Sequence, residues 1–192
     1  PSDGGPSDGG PPSTCGDGVC QVEDLDVCLA ECDLVPTMTG PETPAGRVTT
    51  SGDFDLEHPA WHAFDSPAPD VSTMTGAFWL SEENVAPAWV AYDFPDGPHR
   101  VLRYGIRYGN GPALVSRAPR HFALEGWNGL EWVTVDTRMD ETDWVAGEWR
   151  LFDIAGAGTR GFVSYRVIVF DDNDPRLGIS TISIGELGLW GI

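Results

Sequence analysis

The run RAPRHFALEGWNGLEWVTVDTR, residues 117–138, decides the fold of this chain of 192 residues. Within it, Phe122 and Leu124 alternate with Ala123 and Glu125, which is the two-residue period of a β-strand with two unlike faces. A turn containing Asn and Gly follows, and after it comes a second run rich in Trp, Val and Thr, residues that favour strands. The stretch therefore predicts two strands joined by a short turn.

The same texture extends from about residue 45 to the C-terminus. Short runs of β-branched and aromatic residues alternate with Gly, Pro, Asn and Asp, and no long segment has helical periodicity. Frequent short strands separated by turns are typical of an all-β sandwich or jelly roll. The predicted strands are Arg47–Ser51, Ala88–Phe94, Val101–Tyr108, His121–Gly126, Trp132–Asp136, Trp149–Ile154, Phe162–Phe170 and Thr181–Trp190.

Three shorter segments precede this body. Residues 1–14 repeat PSDGG and predict a flexible, acidic linker that has nothing to bury. Residues 15–32 contain every cysteine of the chain, and residues 33–44, with three Pro, predict a second and stiffer linker. The expected organisation is therefore linker, cysteine module, linker and one β-sandwich over residues 45–192.

The four cysteines predict a module held together by disulfides. An even set within 18 residues is typical of a disulfide-stapled unit from an oxidising compartment, whereas zinc sites usually have tighter pairs or a nearby His. Three pairings remain open, and the residues concerned are Cys15, Cys20, Cys28 and Cys32. We expect the module to be a protease-resistant spacer. The alternative is a small calcium site built from Asp17, Glu23, Asp24 and Asp26.

The charge of the chain restricts its partners. The formal net charge is −19, and all eleven basic residues are Arg. Such a surface repels nucleic acid and anionic lipid, and no apolar run is long enough to cross a membrane. We therefore expect neither nucleic-acid binding nor membrane insertion. Instead we expect a secreted or cell-surface protein whose leader has been removed.

Catalytic motifs are not evident in the sequence. We find no Gly-x-Ser-x-Gly, HExxH or phosphate-loop pattern, and the four His residues have no evident nucleophile beside them. Glu57, His58 and His62 form a weak transition-metal candidate, because a Pro interrupts their spacing. We predict a protein without catalytic activity. Five tryptophans at strand positions are predicted to lie in the core: Trp79, Trp89, Trp132, Trp149 and Trp190.

A series of motifs along residues 45–192 resembles one family. The motifs are WHAFDSP (61–67), FWLS (78–81), PAWVAYDF (87–94), YGIRY (104–108), the opening run (117–138), GEWRLFDI (147–154), YRVIVF (165–170) and ISIGELGLWG (182–191). In this order they resemble the discoidin domain, also called the coagulation factor 5/8 type C domain, which includes family 32 carbohydrate-binding modules. The resemblance implies an eight-stranded jelly-roll sandwich. The cysteine segment resembles short CGDGxC repeats found beside exported domains of myxobacteria.

The family resemblance also implies two sites. Family members with a structural calcium ion take it mostly through backbone carbonyls of a loop after the first strand, with an Asp from that loop and a Glu near the last strand. The matching carboxylates are Asp65 and Glu186, and carbonyls near His62, Ser66, Asp70 and Thr75 would complete the set. Family members that bind sugars do so through loops at one end of the sandwich. The matching residues are Glu83, Asn84, Arg107, Asn110 and Asn173, with Tyr108 as an aromatic platform. Leu80 stands where sugar-binding members often have a His.

The predicted function is non-catalytic, extracellular recognition of a carbohydrate or glycoconjugate, with a structural Ca²⁺ as cofactor. The expected partner is then a glycan or glycoprotein. The alternative is a protein–protein or self-assembly module of a cell-surface or extracellular fibre or coat. Membrane binding is disfavoured by the net charge.

Overall fold

Two antiparallel sheets form a β-sandwich, as the sequence predicts. The structure, a computed structural model, describes residues 19–65, 77–108, 112–145, 147–154, 160–175 and 180–192. Its strands are β1 (Arg47–Thr50), β2 (Trp79–Leu80), β3 (Ala88–Asp93), β4 (Val101–Tyr108), β5 (Pro119–Trp127), β6 (Trp132–Arg138), β7 (Trp149–Asp153), β8 (Ser164–Asp172) and β9 (Ser183–Gly191). One sheet has the order β1-β3-β8-β5-β6 and the other β2-β9-β4-β7.

Within this described part of the chain there are nine strands, one more than the sequence predicts. The additional strand is β2, which has two residues and pairs with β9. A two-residue strand is too short to show alternation in the sequence. Four short 3₁₀ helices complete the described elements: Val22–Asp26, Leu29–Cys32, Ala60–Phe64 and Pro112–Arg117.

The core lies between the two sheets and is built from the inward positions of alternating strands. On β5, Phe122 and Leu124 are fully buried, whereas Glu125 points to the opposite face and is only partly buried. The β5–β6 pair that the opening run predicts is present, with Phe122 opposite Arg138 and Trp127 opposite Trp132, and its register shifts between Leu124 and Glu125. The alternation read from the sequence therefore orients this hairpin correctly.

β9 is buried along its whole length because both of its faces are covered. Its inner face contributes Leu187 and Leu189 to the core. On its outer face, the Trp190 ring lies flat over two glycines, Gly188 on β9 and Gly105 directly opposite on β4. A Cβ atom at either glycine would collide with that ring, so these two positions make room for the tryptophan.

The cysteine module packs against this outer face and is not held away from the sandwich. Leu25 and Cys32 are buried in one cluster with Trp190. Arg103 on β4 donates hydrogen bonds to the Leu25 carbonyl and to Asp26, the latter at 2.8 Å, and pairs with Asp153 at 2.6 Å. The module therefore closes one face of the four-stranded sheet, which differs from the expected free spacer.

A disulfide joins Cys20 to Cys32, which confirms a bridge and leaves these two thiols no role as zinc ligands. Cys28 is disulfide-bonded as well, and Cys15 lies outside the described residues. The predicted calcium ligands of the module have other partners where they are described: Asp24 accepts a hydrogen bond from the Gln21 amide, and Asp26 is paired with Arg103. Asp17 and the Glu23 side chain lie outside the described part.

The segment 33–44 also differs from the expected linker. Leu34 donates its backbone N–H to the Leu189 carbonyl, and Asp33 bridges to Trp190, so the segment extends the edge of β9. Val35 and Met38 are buried in the main core. Residues 33–44 thus belong structurally to the sandwich.

Candidate functional site

Two of the loops that the sequence points to for sugar binding, residues 81–84 and the residues that follow β8, lie at the same end of the sandwich. We call this region the loop end, and its described residues are 51–58, 81–87, 139–145, 173–175 and 180–182. It lies where β1, β4, β6 and β8 end and β3, β5, β7 and β9 begin, because antiparallel register places those strand ends together.

Backbone hydrogen bonds join neighbouring loops of the loop end. The Asn84 amide donates to the Ser180 carbonyl at 2.9 Å, and the Glu82 amide donates to the Gly52 carbonyl at 3.1 Å. The Ser81 hydroxyl, which is buried, accepts a hydrogen bond from the Ile182 amide at 2.8 Å. These bonds hold residues 81–84 between two other loops.

Glu83 and Asn84 are exposed at the loop end, where a ligand can reach them. Asn84 has a φ of 60°, in the left-handed region, and so do Asp140 and Asp143 in another loop of the same end. Asn and Asp tolerate this conformation better than other residues with a side chain, and such backbone positions are enriched at binding sites. Glu83 and Asn84 are thus exposed and polar, as residues of a polar ligand-binding surface need to be.

Arg107 and Tyr108 are buried, whereas residues of a sugar site need to face solvent. Both lie within β4, where Arg107 is 6% exposed and Tyr108 is 0% exposed. Tyr108 belongs to the main core, and burial raises its pKa to about 12. A stacking platform requires an exposed ring face, which the Tyr108 ring does not offer here. Asn110 lies outside the described residues.

Asn173 lies at the loop end, but its side chain is used to hold loops together. Its Nδ2 donates to the carbonyls of Ala118 and Glu141, both at 3.0 Å. Next to it, Asp172 is fully buried and accepts hydrogen bonds from the Asp174 and Ser180 amides. Burial raises the pKa of Asp172. This pair stabilises the loop between β8 and β9.

The predicted calcium residues fall partly within the described chain. Asp65 follows the 3₁₀ helix Ala60–Phe64, which packs against β9, the strand that carries Glu186. Glu186 is buried and lines a small cleft together with Phe64 and Asp33. Desolvation of its carboxyl group raises the pKa of Asp33 to about 6, although the residue as a whole is exposed.

The donor chemistry of this region fits a hard cation, because the two described candidates, Asp65 and Glu186, both supply carboxylate oxygen. Asp65 Oδ2 is also 2.5 Å from His62 Nδ1. Ser66, Asp70 and Thr75 lie outside the described residues. In the part of the chain that the structure describes, no group of three or more His, Cys, Asp or Glu side chains is arranged to hold a metal ion.

The weak transition-metal candidate is separated into two independent pairs. His58 Nδ1 is 2.8 Å from Asp55 Oδ1, while the His62 ring faces Asp65. Each imidazole therefore has its own carboxylate partner, and Glu57 is exposed beside them.

Three of the five tryptophans that the sequence predicts in the core are not fully buried. Trp79 and Trp190 are fully buried, as predicted, but Trp89, Trp132 and Trp149 are only partly buried. Trp89 and Trp132 lie on the outer face of the five-stranded sheet. The alternation of each strand identifies two faces, but which face meets the core depends on how the sheets pack.

No family model matches the chain, and no curated protein matches it. Solved structures do match. A chitosan-binding module from a Paenibacillus chitosanase/glucanase is 20% identical, with 76% of this chain and 95% of that chain covered and a TM-score of 0.54. The family 32 carbohydrate-binding module of Clostridium perfringens NanJ, solved with galactose, is 12% identical, with 78% and 96% covered and a TM-score of 0.56.

An F5/8 type C domain from Bacteroides fragilis is 13% identical, with 77% of this chain and 91% of that chain covered and a TM-score of 0.57. Sequence identities this low support a similar fold and nothing more. The chain thus has the fold of discoidin, or F5/8 type C, domains and family 32 carbohydrate-binding modules, as its motifs predict. No described helix has the length and apolar character needed to span a membrane.

Proposed function

We propose that this chain is a non-catalytic extracellular module that binds glycans through its loop end. The observation that carries the proposal is the convergence there of loops whose exposed side chains, among them Glu83 and Asn84, are polar and held by hydrogen-bonded backbone. Carboxylate and amide groups are the partners that sugar hydroxyls require. The glycan-binding modules of the same fold lend support.

The charge of the loop end indicates which glycans it accepts. Glu82, Glu83, Asp140 and Asp143 are all exposed there, within a chain of net charge −19. Sulfated and uronic-acid glycans would be repelled, whereas neutral and amino-sugar glycans would not. The similar module that binds chitosan, a polymer of amino sugars, agrees with this selection.

A structural Ca²⁺ completes the proposal. Asp65 and Glu186 would hold it, with oxygen donors from the loop that follows Asp65. When bound, the ion would fix this loop against β9 and would stabilise the folded chain by mass action. If so, EDTA lowers the midpoint of thermal unfolding and Ca²⁺ restores it, whereas Mg²⁺ at the same concentration does not.

A secreted or cell-surface location is part of the same proposal. The Cys20–Cys32 disulfide supports it, because such bonds persist in oxidising compartments. The expected partner is a glycan or a glycoprotein.

The experiment that tests the proposal is binding of the chain to a broad glycan array, with Ca²⁺ and with EDTA. Glu83→Ala and Asn84→Ala should each weaken binding to the recognised glycans at least about tenfold. The matched control is Glu131→Ala, which removes the same charge from the exposed turn at the opposite end of the sandwich. Its binding should equal that of the unchanged chain.

A folded chain that binds no glycan would rule the proposal out. Light scattering on the same samples tests the alternative, a self-assembly module, which requires oligomers that form without any sugar.

A further inference from the structure

The outer face of the five-stranded sheet carries an arrangement of aromatic rings that the loop end does not use. Trp89 on β3, Trp127 on β5 and Trp132 on β6 are each only partly buried. The outer face of the other sheet differs, because the cysteine module and Trp190 cover it. The two faces of this sandwich are therefore not equivalent.

Arg166 on β8 connects these rings into one row. Its guanidinium carbon lies 4.4 Å from the centroid of the Trp132 ring and 5.7 Å from that of the Trp89 ring. The Trp127 and Trp132 centroids are 5.5 Å apart. We call Trp89, Arg166, Trp132 and Trp127 the tryptophan row.

A single ion pair holds the tryptophan row in place. Arg166 donates to Glu125 Oε2 at 2.7 Å, and both side chains are largely buried, at 16% and 13% exposure. The guanidinium is thereby fixed between two rings, because its donors and its flat faces are engaged at once. The row is thus pre-organised, which lowers the entropy lost when a ligand binds.

The tryptophan row carries no net charge in an otherwise acidic protein. Arg166 and Glu125 cancel each other, whereas the chain as a whole has a formal net charge of −19. A neutral ligand meets no electrostatic penalty at such a row. Aromatic faces offer apolar contact, which matches the apolar face of a hexose ring.

The row runs across the strands, from β3 through β8 and β5 to β6. Three strand spacings make it about 14 Å long. This length suits several successive sugar rings. The planes of the Trp127 and Trp132 rings are inclined by 57°, so an extended chain whose successive sugar rings turn relative to one another fits this shape better than a compact or branched glycan end.

We infer that the tryptophan row is a second glycan site, distinct from the loop end, which binds the flat face of a neutral, extended polysaccharide of the β-1,4-glucan type. Binding here does not depend on the loop end or on calcium. The two sites would select different features: the loop end takes exposed hydroxyl or amine groups, and the row takes ring faces along a chain.

Affinity electrophoresis of the full chain in gels that contain hydroxyethylcellulose tests this inference. We expect the chain to be retarded, and Trp132→Ala to weaken that retardation at least about tenfold in apparent Kd. Trp132→Phe keeps an aromatic face and should retain most of the retardation. Leu151→Ala, at an exposed position of the other sheet, should behave as the unchanged chain does.

Arg166→Lys is the second variant, for the case in which Trp132→Ala does not fold. It preserves the charge opposite Glu125 but loses the planar stacking, so it should also reduce retardation. An unretarded but folded wild type, or a Trp132→Phe variant as weak as Trp132→Ala, would overturn the inference.

Sedimentation velocity tests whether the tryptophan row instead joins two copies of the chain. A dimer that forms without polysaccharide and is lost in Trp132→Ala would make the row an interface between two copies, and this would also overturn the inference. Loss of array binding in Glu83→Ala, with retardation unchanged, would separate the two sites.

Discussion

At the scale of single residues, tryptophan shows how one residue type takes several roles in this chain. Trp190 is fully buried over two glycines, Trp144 is buried with its indole N–H donating to the Pro119 and Glu141 carbonyls, and Trp132 lies against Arg166 on an open face. Each role depends on what lies across the sheet from the ring. Composition alone counts eight tryptophans but does not distinguish their roles.

Gly188 provides a sharp test of the packing beneath Trp190. A methyl group at this position would collide with the ring, so Gly188→Ala should lower the free energy of unfolding by about 1–3 kcal/mol. Trp190→Phe alone leaves a space and is destabilising too. The double variant should lose less than the sum of the two single losses, because the smaller ring makes room for the methyl group. Urea unfolding of the three variants measures this, and strict additivity would contradict it.

Asp33 provides a test by pH. Its folded pKa of about 6 lies above the ordinary value of about 3.9 in an unfolded chain. The stabilising contribution of Asp33 is therefore complete below about pH 4 and is lost as the pH rises through 6. Asp33→Asn stays neutral and can keep the acceptor that Asp33 Oδ1 offers to the Val35 amide. The thermal midpoint of the variant should exceed that of wild type at pH 7 but not at pH 4.

Glu131→Gln is the matched control for Asp33→Asn, since it removes one negative charge at an exposed turn. If it reproduces the same pH dependence, the effect comes from the net charge of the chain rather than from the cleft around Asp33.

At the scale of elements, docking of the cysteine module on β4 and β9 is the feature that the sequence predicted least well. Arg103 is the main polar link, and its side chain is only 13% exposed. No local pattern of residues around Arg103 indicates that its side chain, on β4, binds the carbonyl of Leu25. The link joins residues 78 positions apart.

Arg103→Ala should release the module from the sheet. Since Asp26 and Asp153 are both mostly exposed, solvent screens much of the ion-pair energy, and we expect a loss of only about 1 kcal/mol of global stability. The larger effect should be local: amide hydrogen exchange should accelerate over residues 21–34. Arg47→Ala removes an arginine whose ion pair is exposed and 3.7 Å long, and it should change neither quantity. Equal exchange in the two variants would contradict the docking.

At the scale of the whole molecule, the charge of −19 is the dominant property. Because thirty acidic residues outnumber eleven basic ones, the negative charges repel one another more strongly in the compact state than in the unfolded chain, although local pairs such as Arg103 with Asp153 offset part of this repulsion. The same field repels anionic partners from the loop end. Charge therefore bears on stability and on ligand choice together.

Salt should stabilise the chain for this reason. Between about 10 mM and 1 M salt the screening length falls from about 30 Å to about 3 Å, so repulsion between distant carboxylates is largely removed. We expect the thermal midpoint in NaCl with EDTA to rise by several degrees over that range, EDTA being present so that calcium does not contribute. A midpoint that stays constant or falls would show that attractive pairs outweigh the repulsion.

The sequence by itself determined that the chain is an all-β sandwich, where most of its strands lie, and that its cysteines form disulfides. These properties follow from local periods, turn residues and cysteine spacing, which nearby residues encode. The family resemblance of its motifs also pointed to part of the loop end, because Glu83 and Asn84 lie between FWLS (78–81) and PAWVAYDF (87–94).

Only the tertiary structure decided which side chains of those strands face solvent. Arg107 and Tyr108 end a strand in the sequence, yet they are buried, while Trp89 and Trp132 share the pattern of core residues and lie outside. The module, the segment 33–44 and the tryptophan row likewise exist through contacts between residues far apart in the chain. Such contacts depend on how two sheets stack and what covers each face, which no local pattern of residues contains.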